Sequence, residues 1–173
     1  MRKIFSALLV TLAGSLMVSQ AIGAEDKNAD QIPTYGDWGY RCEEGPDGKD
    51  KLCYVFQNVT KKDTGQLVLG ARIAFRPEHK EPMLVVTVPL GSLLPPGAAL
   101  TLEGAEPLKL NYFLCAADGC TTIATPIPDA MLASLKKGEQ AVIRVATPTK
   151  QVVGLPLSLN GLTKALAVLK EKK

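Results

Sequence analysis

The sequence predicts an all-β protein, an antiparallel β-sandwich with one short internal helix and a C-terminal helix. Short segments rich in β-branched and aromatic residues recur along the chain, with turn residues between them at intervals of roughly ten residues. The strand–helix–strand rhythm of a parallel sheet is not seen. A closed β-barrel is the alternative architecture that the same pattern allows.

The first 24 residues have the features of a secretory signal peptide in the usual order. Arg2 and Lys3 precede an apolar run over residues 4–18, and small residues up to Ala24 precede the acidic Glu25. The run is about fifteen residues long, which is short for a helix that spans a bilayer. We therefore expect cleavage after Ala24, with cleavage after Ala21 as the alternative, and no stable transmembrane segment afterwards. The mature protein is expected in the periplasm, or secreted and associated with the outer surface.

The mature chain is expected to contain a flexible leader over residues 25–34 and a single β-sandwich domain over residues 35–173. The leader is polar, contains a proline and shows no hydrophobic periodicity. The domain has an ordinary size for one hydrophobic core. Without residues 1–24, the chain has eighteen Lys and Arg and seventeen Asp and Glu, which gives a formal charge of +1. Such a balance gives no electrostatic signature of nucleic-acid binding.

Four strands are predicted in the first half of the domain, and the only tryptophan, Trp38, is expected to pack in the core. In the second predicted strand, alternate residues share a face. One face is expected to carry Cys53, Val55, Gln57 and Val59, and the other Tyr54, Phe56 and Asn58. The fourth strand is apolar on both faces, as a central strand should be, and Pro89 is expected to end its pairing. The predicted strands cover residues 37–42, 52–60, 66–75 and 83–90.

Five strands and two helices are predicted in the second half. Along residues 108–115, Tyr112 and Leu114 are expected on one face and Phe113 on the other. Asp129 is expected to cap the internal helix, which Gly138 closes. In the C-terminal helix, four apolar residues fall on one face at helical spacing. The predicted strands cover residues 98–103, 108–115, 121–126, 141–146 and 152–159, and the predicted helices cover residues 130–137 and 162–170.

The four cysteines are the candidate site residues, and they are interpreted as structural disulfides. Of the three possible pairings, locality favours Cys42 with Cys53 and Cys115 with Cys120, because each pair flanks a turn that contains glycine. A zinc site is the first alternative, although ten residues separate the first pair and four separate the second. A redox-active pair is the second, although the chain has no C-x-x-C motif. No metal site and no cofactor are predicted.

No catalytic residues are predicted, so the protein is expected not to be an enzyme. The only histidine, His79, lies in a polar loop, and no G-x-S-x-G motif occurs. A periplasmic hydrolase that uses paired carboxylates is the alternative. Its candidate pairs would be Glu43 with Glu44 and Glu78 with Glu81.

Four groups of residues, in their order along the chain, resemble the invasion-associated locus B family. They are Gly36-Asp37-Trp38 followed by Cys42 and by Cys53 with Gln57; Val88-Pro89-Leu90-Gly91 followed by Leu94 and Gly97; Cys115 with Gly119-Cys120; and Leu157-Ser158-Leu159-Asn160-Gly161-Leu162 with Ala165-Leu166. The match spans residues 36–169. The resemblance implies an exported protein of Gram-negative bacteria with an immunoglobulin-like β-sandwich, and it supplies no catalytic residues. In some pathogenic relatives the family is associated with entry into host cells.

These observations together predict an exported, non-enzymatic envelope or periplasmic protein. Its expected role is that of a protein-binding module in host-cell invasion or envelope function. The expected partner is an envelope or host protein of unknown identity, and no nucleic acid or cofactor is expected to bind.

Overall fold

The computed structural model of the protein describes residues 32–44, 48, 51–76 and 79–172. The predicted signal peptide and residues 25–31 of the predicted leader lie outside the described residues. Residues 32–34, which are predicted as part of the leader, belong to the described fold. Thr34 pairs with Gly39 in a short strand, and the carbonyl of Pro33 accepts a hydrogen bond from the main-chain N–H of Tyr40.

The described chain consists of short strands and two helices, in the order β1 to β10, α1, β11, β12 and α2. Their bounds are β1 Thr34–Tyr35, β2 Trp38–Glu44, β3 Lys51–Thr60, β4 Leu67–Ala74, β5 Met83–Val88, β6 Ala98–Thr101, β7 Leu108–Leu110, β8 Tyr112–Ala116, β9 Gly119–Thr122, β10 Thr125–Pro126, α1 Asp129–Lys137, β11 Gln140–Ala146, β12 Val152–Ser158 and α2 Leu162–Glu171.

The strands form two antiparallel sheets, which confirms the predicted immunoglobulin-like β-sandwich. The larger sheet has the order β1-β2-β3-β4-β5-β9-β8, and β10 also pairs with β5. The smaller sheet has the order β12-β11-β6-β7. Both sheets and the apolar faces of α1 and α2 contribute to one hydrophobic core. The central position predicted for residues 83–90 is confirmed for β5, whose pairing ends before Pro89.

The alternation predicted for β3 is largely confirmed. Val55 and Gln57 are buried on the inner face, whereas Phe56 and Asn58 on the outer face are more exposed. Tyr54 is the exception, because this outer residue is also buried. The outer face of β3 therefore carries a covered aromatic residue, which alternation alone does not predict.

The strand predicted over residues 108–115 is divided between the two sheets. β7 pairs with β6 in the smaller sheet, and β8 pairs with β9 in the larger sheet. The division falls at Asn111, whose carbonyl accepts a hydrogen bond from the main-chain N–H of Ile123. The chain changes sheets here, at a corner of the sandwich.

The prediction that Asp129 caps the internal helix is wrong. Asp129 is the first residue of α1, the position before it is Pro128, and no side chain caps the helix. The N-terminal carboxylate can still interact favourably with the positive end of the helix dipole. The predicted helix end is confirmed, because the N–H of Gly138 donates to the carbonyl of Ser134.

Candidate functional site

The four candidate cysteines lie in two antiparallel hairpins of the larger sheet. Cys42 of β2 lies directly opposite Cys53 of β3, and Cys115 of β8 lies directly opposite Cys120 of β9. The structure joins both pairs as disulfides and contains no free cysteine. These are the two local pairs that the sequence favours. Cross-strand bridges of this kind hold two neighbouring strands together.

The first motif of the family resemblance packs inside the sandwich against the last strand. Trp38 is completely buried, and its indole N–H donates to the carbonyl of Ser158 at 3.0 Å. Gln57 is 5% exposed, and its amide oxygen accepts the Ser158 N–H at 3.0 Å. The amide nitrogen of Gln57 donates to the carbonyls of Ser158 and Asp37. Trp38 and Gln57 thereby connect the larger sheet to the end of β12.

The same region is closed from the outside by the loop between β12 and α2. The hydroxyl of Ser158 donates to Asp37 Oδ2 at 2.6 Å, and the N–H of Asp37 donates to the carbonyl of Asn160. A Cβ atom at Gly36 would lie 2.6 Å from that carbonyl oxygen, so no larger residue fits there without rearrangement. A Cβ atom at Gly161 would lie even closer to the carbonyl oxygen of Tyr35. We call this group, residues 35–38, 57 and 158–161, the closing junction.

The closing junction holds the fold together rather than forming a ligand site. Its buried polar atoms hydrogen-bond to one another, and its glycines are covered by main chain. A ligand would have to displace these contacts. Two of the four motif groups that suggested the family therefore have a structural role, the joining of the N- and C-terminal parts of the domain.

Gln57→Ala is expected to lower the free energy of unfolding by about 1–3 kcal/mol, because the N–H of Ser158 would lose its partner in a buried environment. Urea unfolding of the mature protein, followed by circular dichroism, measures this change. Asn58→Ala is the matched control, because Asn58 is the exposed neighbour on the same strand. Equal unfolding midpoints for the two variants would contradict the role assigned to Gln57.

Among the candidate catalytic residues that the structure describes, Glu43 and Glu44 do not form a facing pair of carboxylates. Glu43 and Glu44 are consecutive residues of β2, so their side chains point to opposite faces of the sheet. His79 is exposed, and Glu78, one half of the second carboxylate pair, lies outside the described residues. Within residues 32–44, 48, 51–76 and 79–172, no group of three His, Cys, Asp or Glu residues could hold a metal ion.

In the part of the chain that the structure describes, neither helix has the length and apolar character needed to cross a bilayer. α2 is the longer of the two, with ten residues. One face of α2 is buried in the core through Leu162, Ala165, Leu166 and Leu169, as the sequence pattern predicted. Its amphipathic pattern is therefore explained by packing inside this domain.

Exposed apolar side chains concentrate around the β8–β9 hairpin. Phe113 is 72% exposed and Leu114 is 47% exposed, both on β8. Leu90 lines a groove together with Ala117 and Asp118 of the hairpin turn. Leu94 and Ile123 are also exposed. The carbonyl of Leu94 accepts a hydrogen bond from the N–H of Gly97, and the N–H of Ile123 donates to the carbonyl of Asn111, the residue before β8. We call Leu90, Leu94, Phe113, Leu114 and Ile123 the hairpin patch.

A β-bulge explains the exposure of both Phe113 and Leu114. Tyr112 pairs with Thr122, but Leu114 pairs with Thr121, so Phe113 is an additional residue in β8. A bulge of this kind disturbs the alternation of faces. Strict alternation predicts that Leu114 shares a face with Tyr112, and this prediction is wrong. Tyr112 packs against the core, and this burial raises the pKa of its phenol, whereas Leu114 is turned to solvent.

β8 is also the least protected of the four sheet edges in the described chain. β1 has only two residues, β7 has three and includes Lys109, and β12 includes Pro156. Charges, prolines and short length are the features that normally keep an edge from pairing with other chains. β8 contains five residues without a charge or a proline. It also ends the larger sheet.

The main chain of β8 offers hydrogen-bonding groups at this edge. The Cα atoms of Cys115 and Cys120 are 3.9 Å apart. Such close spacing is typical of a non-hydrogen-bonded antiparallel pair, in which the two opposite residues form no main-chain hydrogen bonds with each other. In such a pair, the N–H and C=O of each residue point away from the other strand. Those of Cys115 therefore point outward at the open edge, beside Leu114.

The groove next to the hairpin patch has a volume of about 240 Å³. It lies between the β3–β4 connection, the segment after β5 and the β8–β9 turn, and its lining residues are Gln66, Leu67, Pro89, Leu90, Ala117 and Asp118. Leu90 belongs to both the groove and the hairpin patch, so the two surfaces meet at this residue. Sequence reasoning missed this site, because its residues come from three separate connections.

The described chain is thus a disulfide-bearing immunoglobulin-like β-sandwich with an apolar surface at one sheet edge. A family model described as invasion associated locus B (IalB) protein matches residues 38–170. The chain belongs to this family. No curated protein matches the chain.

Among solved structures, the chain is similar to the crystal structure of invasion associated protein B from Bartonella henselae. The TM-score is 0.71 and the sequence identity is 21%, and the match covers 82% of this chain and 95% of that one. At this identity the likeness supports the fold. The family assignment predicted from the four groups of residues is confirmed by the family model.

Proposed function

We propose that the protein is an exported, non-enzymatic envelope protein that binds another protein through the hairpin patch. The observation that carries this proposal is the exposure of Phe113 and Leu114 on a sheet edge that has neither charge nor proline. An aromatic side chain can bury about 150–250 Å² of surface, so Phe113 is suited to anchor an interface. The outward N–H and C=O of Cys115 can add main-chain hydrogen bonds to an extended segment of the partner.

The proposed location is the periplasm or the outer surface, after cleavage behind Ala24. The charge pattern of residues 1–24 supports export, and the two cysteine pairs suit an oxidising compartment. Oxidised cysteines in the native protein are part of this proposal. The proposed disulfides are Cys42–Cys53 and Cys115–Cys120.

A role in contact with a host cell, or within the bacterial envelope, follows from the family. The family description and the structural relative both carry the words "invasion associated". A binding module fits such a role better than an enzyme does, because the described residues present an apolar docking surface. The partner is accordingly proposed to be an envelope or host protein.

Phe113→Ser is expected to reduce recovery of the partner at least about tenfold, since central aromatic anchors contribute most of the energy of an interface. Tagged mature protein incubated with envelope extract, or with host-cell membrane extract, measures this recovery. A benzophenone amino acid at position 113 in intact cells should crosslink the same partner. Because Phe113 makes few contacts within the fold, its replacement should change stability by no more than about 0.5 kcal/mol.

Val152→Ser is the matched control for this experiment. Val152 is 63% exposed on β12, an edge strand of the other sheet, so this variant also removes an exposed apolar side chain from a sheet edge. This variant should recover the partner as well as the unmodified protein does. Equal recovery by Phe113→Ser and Val152→Ser would contradict the proposed binding surface. Recovery of no consistent partner from either extract would contradict the proposed function.

A further inference from the structure

The outer face of the larger sheet carries two arginines and two aromatic residues in a two-by-two arrangement. Arg41 of β2 lies opposite Tyr54 of β3, and Arg72 of β4 lies opposite Phe56 of β3. All four side chains project from the face of the sheet that points away from the core. We call these four residues the arginine–aromatic face.

Each arginine leans diagonally across β3 onto the ring that is not its direct neighbour. The guanidinium carbon of Arg41 is 5.6 Å from the centroid of the Phe56 ring, and that of Arg72 is 5.5 Å from the centroid of the Tyr54 ring. The two rings meet edge to face with centroids 5.9 Å apart. Phe56 is held from below, because its ring covers Gly39. Cation–π contacts of this kind position a guanidinium group while its N–H donors remain available to solvent.

The arginine–aromatic face has an excess of positive charge. Glu43 lies 3.7 Å from Arg41 and accepts a hydrogen bond from the hydroxyl of Tyr54 at 2.5 Å. Among the residues that the structure describes, no carboxylate forms a salt bridge with Arg72. Burial and the bond to Glu43 both raise the pKa of Tyr54, so its phenol stays neutral at physiological pH. Arg72 is therefore the cation of this face that forms no salt bridge within the described residues.

We propose that the arginine–aromatic face binds an acidic polysaccharide, whose carboxylate or sulfate groups pair with Arg72 and Arg41. Guanidinium groups bind planar or tetrahedral oxyanions through paired N–H donors. The proposal is independent of the hairpin patch, because the two surfaces lie on different strands, β2 to β4 and β8. It adds a second class of ligand to the function proposed above.

The shape of this face favours a polysaccharide over other anionic ligands. β3 is paired with a strand on each side, so its main chain offers no free ladder to an extended peptide. Small molecules usually require a concave pocket, and the groove described above is lined by other residues. The acidic groups of a polysaccharide are fixed directly on rigid rings. They lose less rotational freedom on binding than the side chains of an acidic peptide do.

The test uses the mature protein with a heparin oligosaccharide as the sulfated probe and polygalacturonate as the carboxylated probe. Titration calorimetry at low ionic strength should detect binding of at least one probe, weakened about five- to tenfold by Arg72→Gln. Arg144→Gln removes the same charge from the outer face of β11, where Arg144 contacts Thr101 rather than a ring. This control should bind as the unmodified protein does. Equal weakening by both variants, or no binding of either probe, would overturn the proposal.

Two further measurements separate this site from a general charge effect. Phe56→Leu keeps an apolar cover over Gly39 but removes the ring beneath Arg41, and it should weaken binding about threefold. An unfolding measurement on the same variant checks that the fold is retained. Poly-glutamate should bind at least tenfold more weakly than the polysaccharide probe that binds. Equal affinity for poly-glutamate would overturn the choice of a polysaccharide as the ligand.

Discussion

Gly161→Ala is expected to lower the free energy of unfolding by about 2–5 kcal/mol, from backbone strain and overpacking together. Gly161 has a φ angle of +82°, a conformation that residues with a Cβ atom adopt only at a cost. An added Cβ would also collide with the carbonyl oxygen of Tyr35, which is main chain and cannot rotate away. Relief of that collision requires α2, which begins at Leu162, to move away from β1.

Gly104→Ala separates the two causes. Gly104 has a φ angle of +74°, but an added Cβ there would meet no atom within 4 Å. This variant should lose about 1–2 kcal/mol, the cost of the left-handed conformation alone. Urea unfolding of both variants, analysed with a common slope, gives the difference. Similar losses for Gly104→Ala and Gly161→Ala would contradict the expected collision with the carbonyl oxygen of Tyr35, because the left-handed conformation alone would then explain both.

The features of the fold that depend on neighbouring residues along the chain could be predicted from the sequence. The alternation in β3 places Val55 inward and Phe56 outward because each strand residue faces one side or the other. The ends of β5 and α1 follow from Pro89 and Gly138 for equally local reasons. The division of residues 108–115 into β7 and β8 was not predictable in this way. It depends on which sheet offers a partner strand, and that is decided by distant residues.

The candidate site was predicted only in part, for the same physical reason. The two cysteine pairs are separated by eleven and five positions, so a hairpin brings each pair together locally. Gln57 and Ser158 are separated by 101 positions, and no periodicity in either segment predicts the hydrogen bonds between them. The resemblance singled out both residues without giving their role. The structure shows that they close the domain.

The hairpin patch illustrates how one extra residue changes a surface. Simple alternation predicts Phe113 outward and Leu114 inward, which would leave a single exposed aromatic residue on β8. The bulge turns Leu114 outward as well and widens the apolar surface at the edge. Bulges are frequent at sheet edges and next to functional sites. The bulge is therefore the structural feature that makes β8 suitable for binding, and a pattern of period two cannot reveal it.

Replacing Cys42 and Cys53 together by alanine is expected to destabilise the mature protein by about 3 kcal/mol, whereas replacing Cys115 and Cys120 should cost about 2 kcal/mol through chain entropy. The longer loop between the first pair gives the unfolded chain more freedom once the link is removed. Cys42 also loses the hydroxyl contact from Tyr40 at 3.0 Å. Urea unfolding with and without a reductant measures both effects in the unmodified protein and in each double variant.

Peptide mapping without reduction provides the direct check on the pairing. Lys51 lies between Cys42 and Cys53, so trypsin should yield two peptides that remain joined until a reductant is added. No Lys or Arg lies between Cys115 and Cys120, so that bridge should leave one peptide whose mass rises on reduction. If the Cys42 and Cys53 peptides of protein isolated from the envelope were already separate, and reduction left the mass of the third peptide unchanged, its cysteines would be free. The export on which the proposed function rests would then lose its chemical support, because thiols in an oxidising compartment are expected to pair.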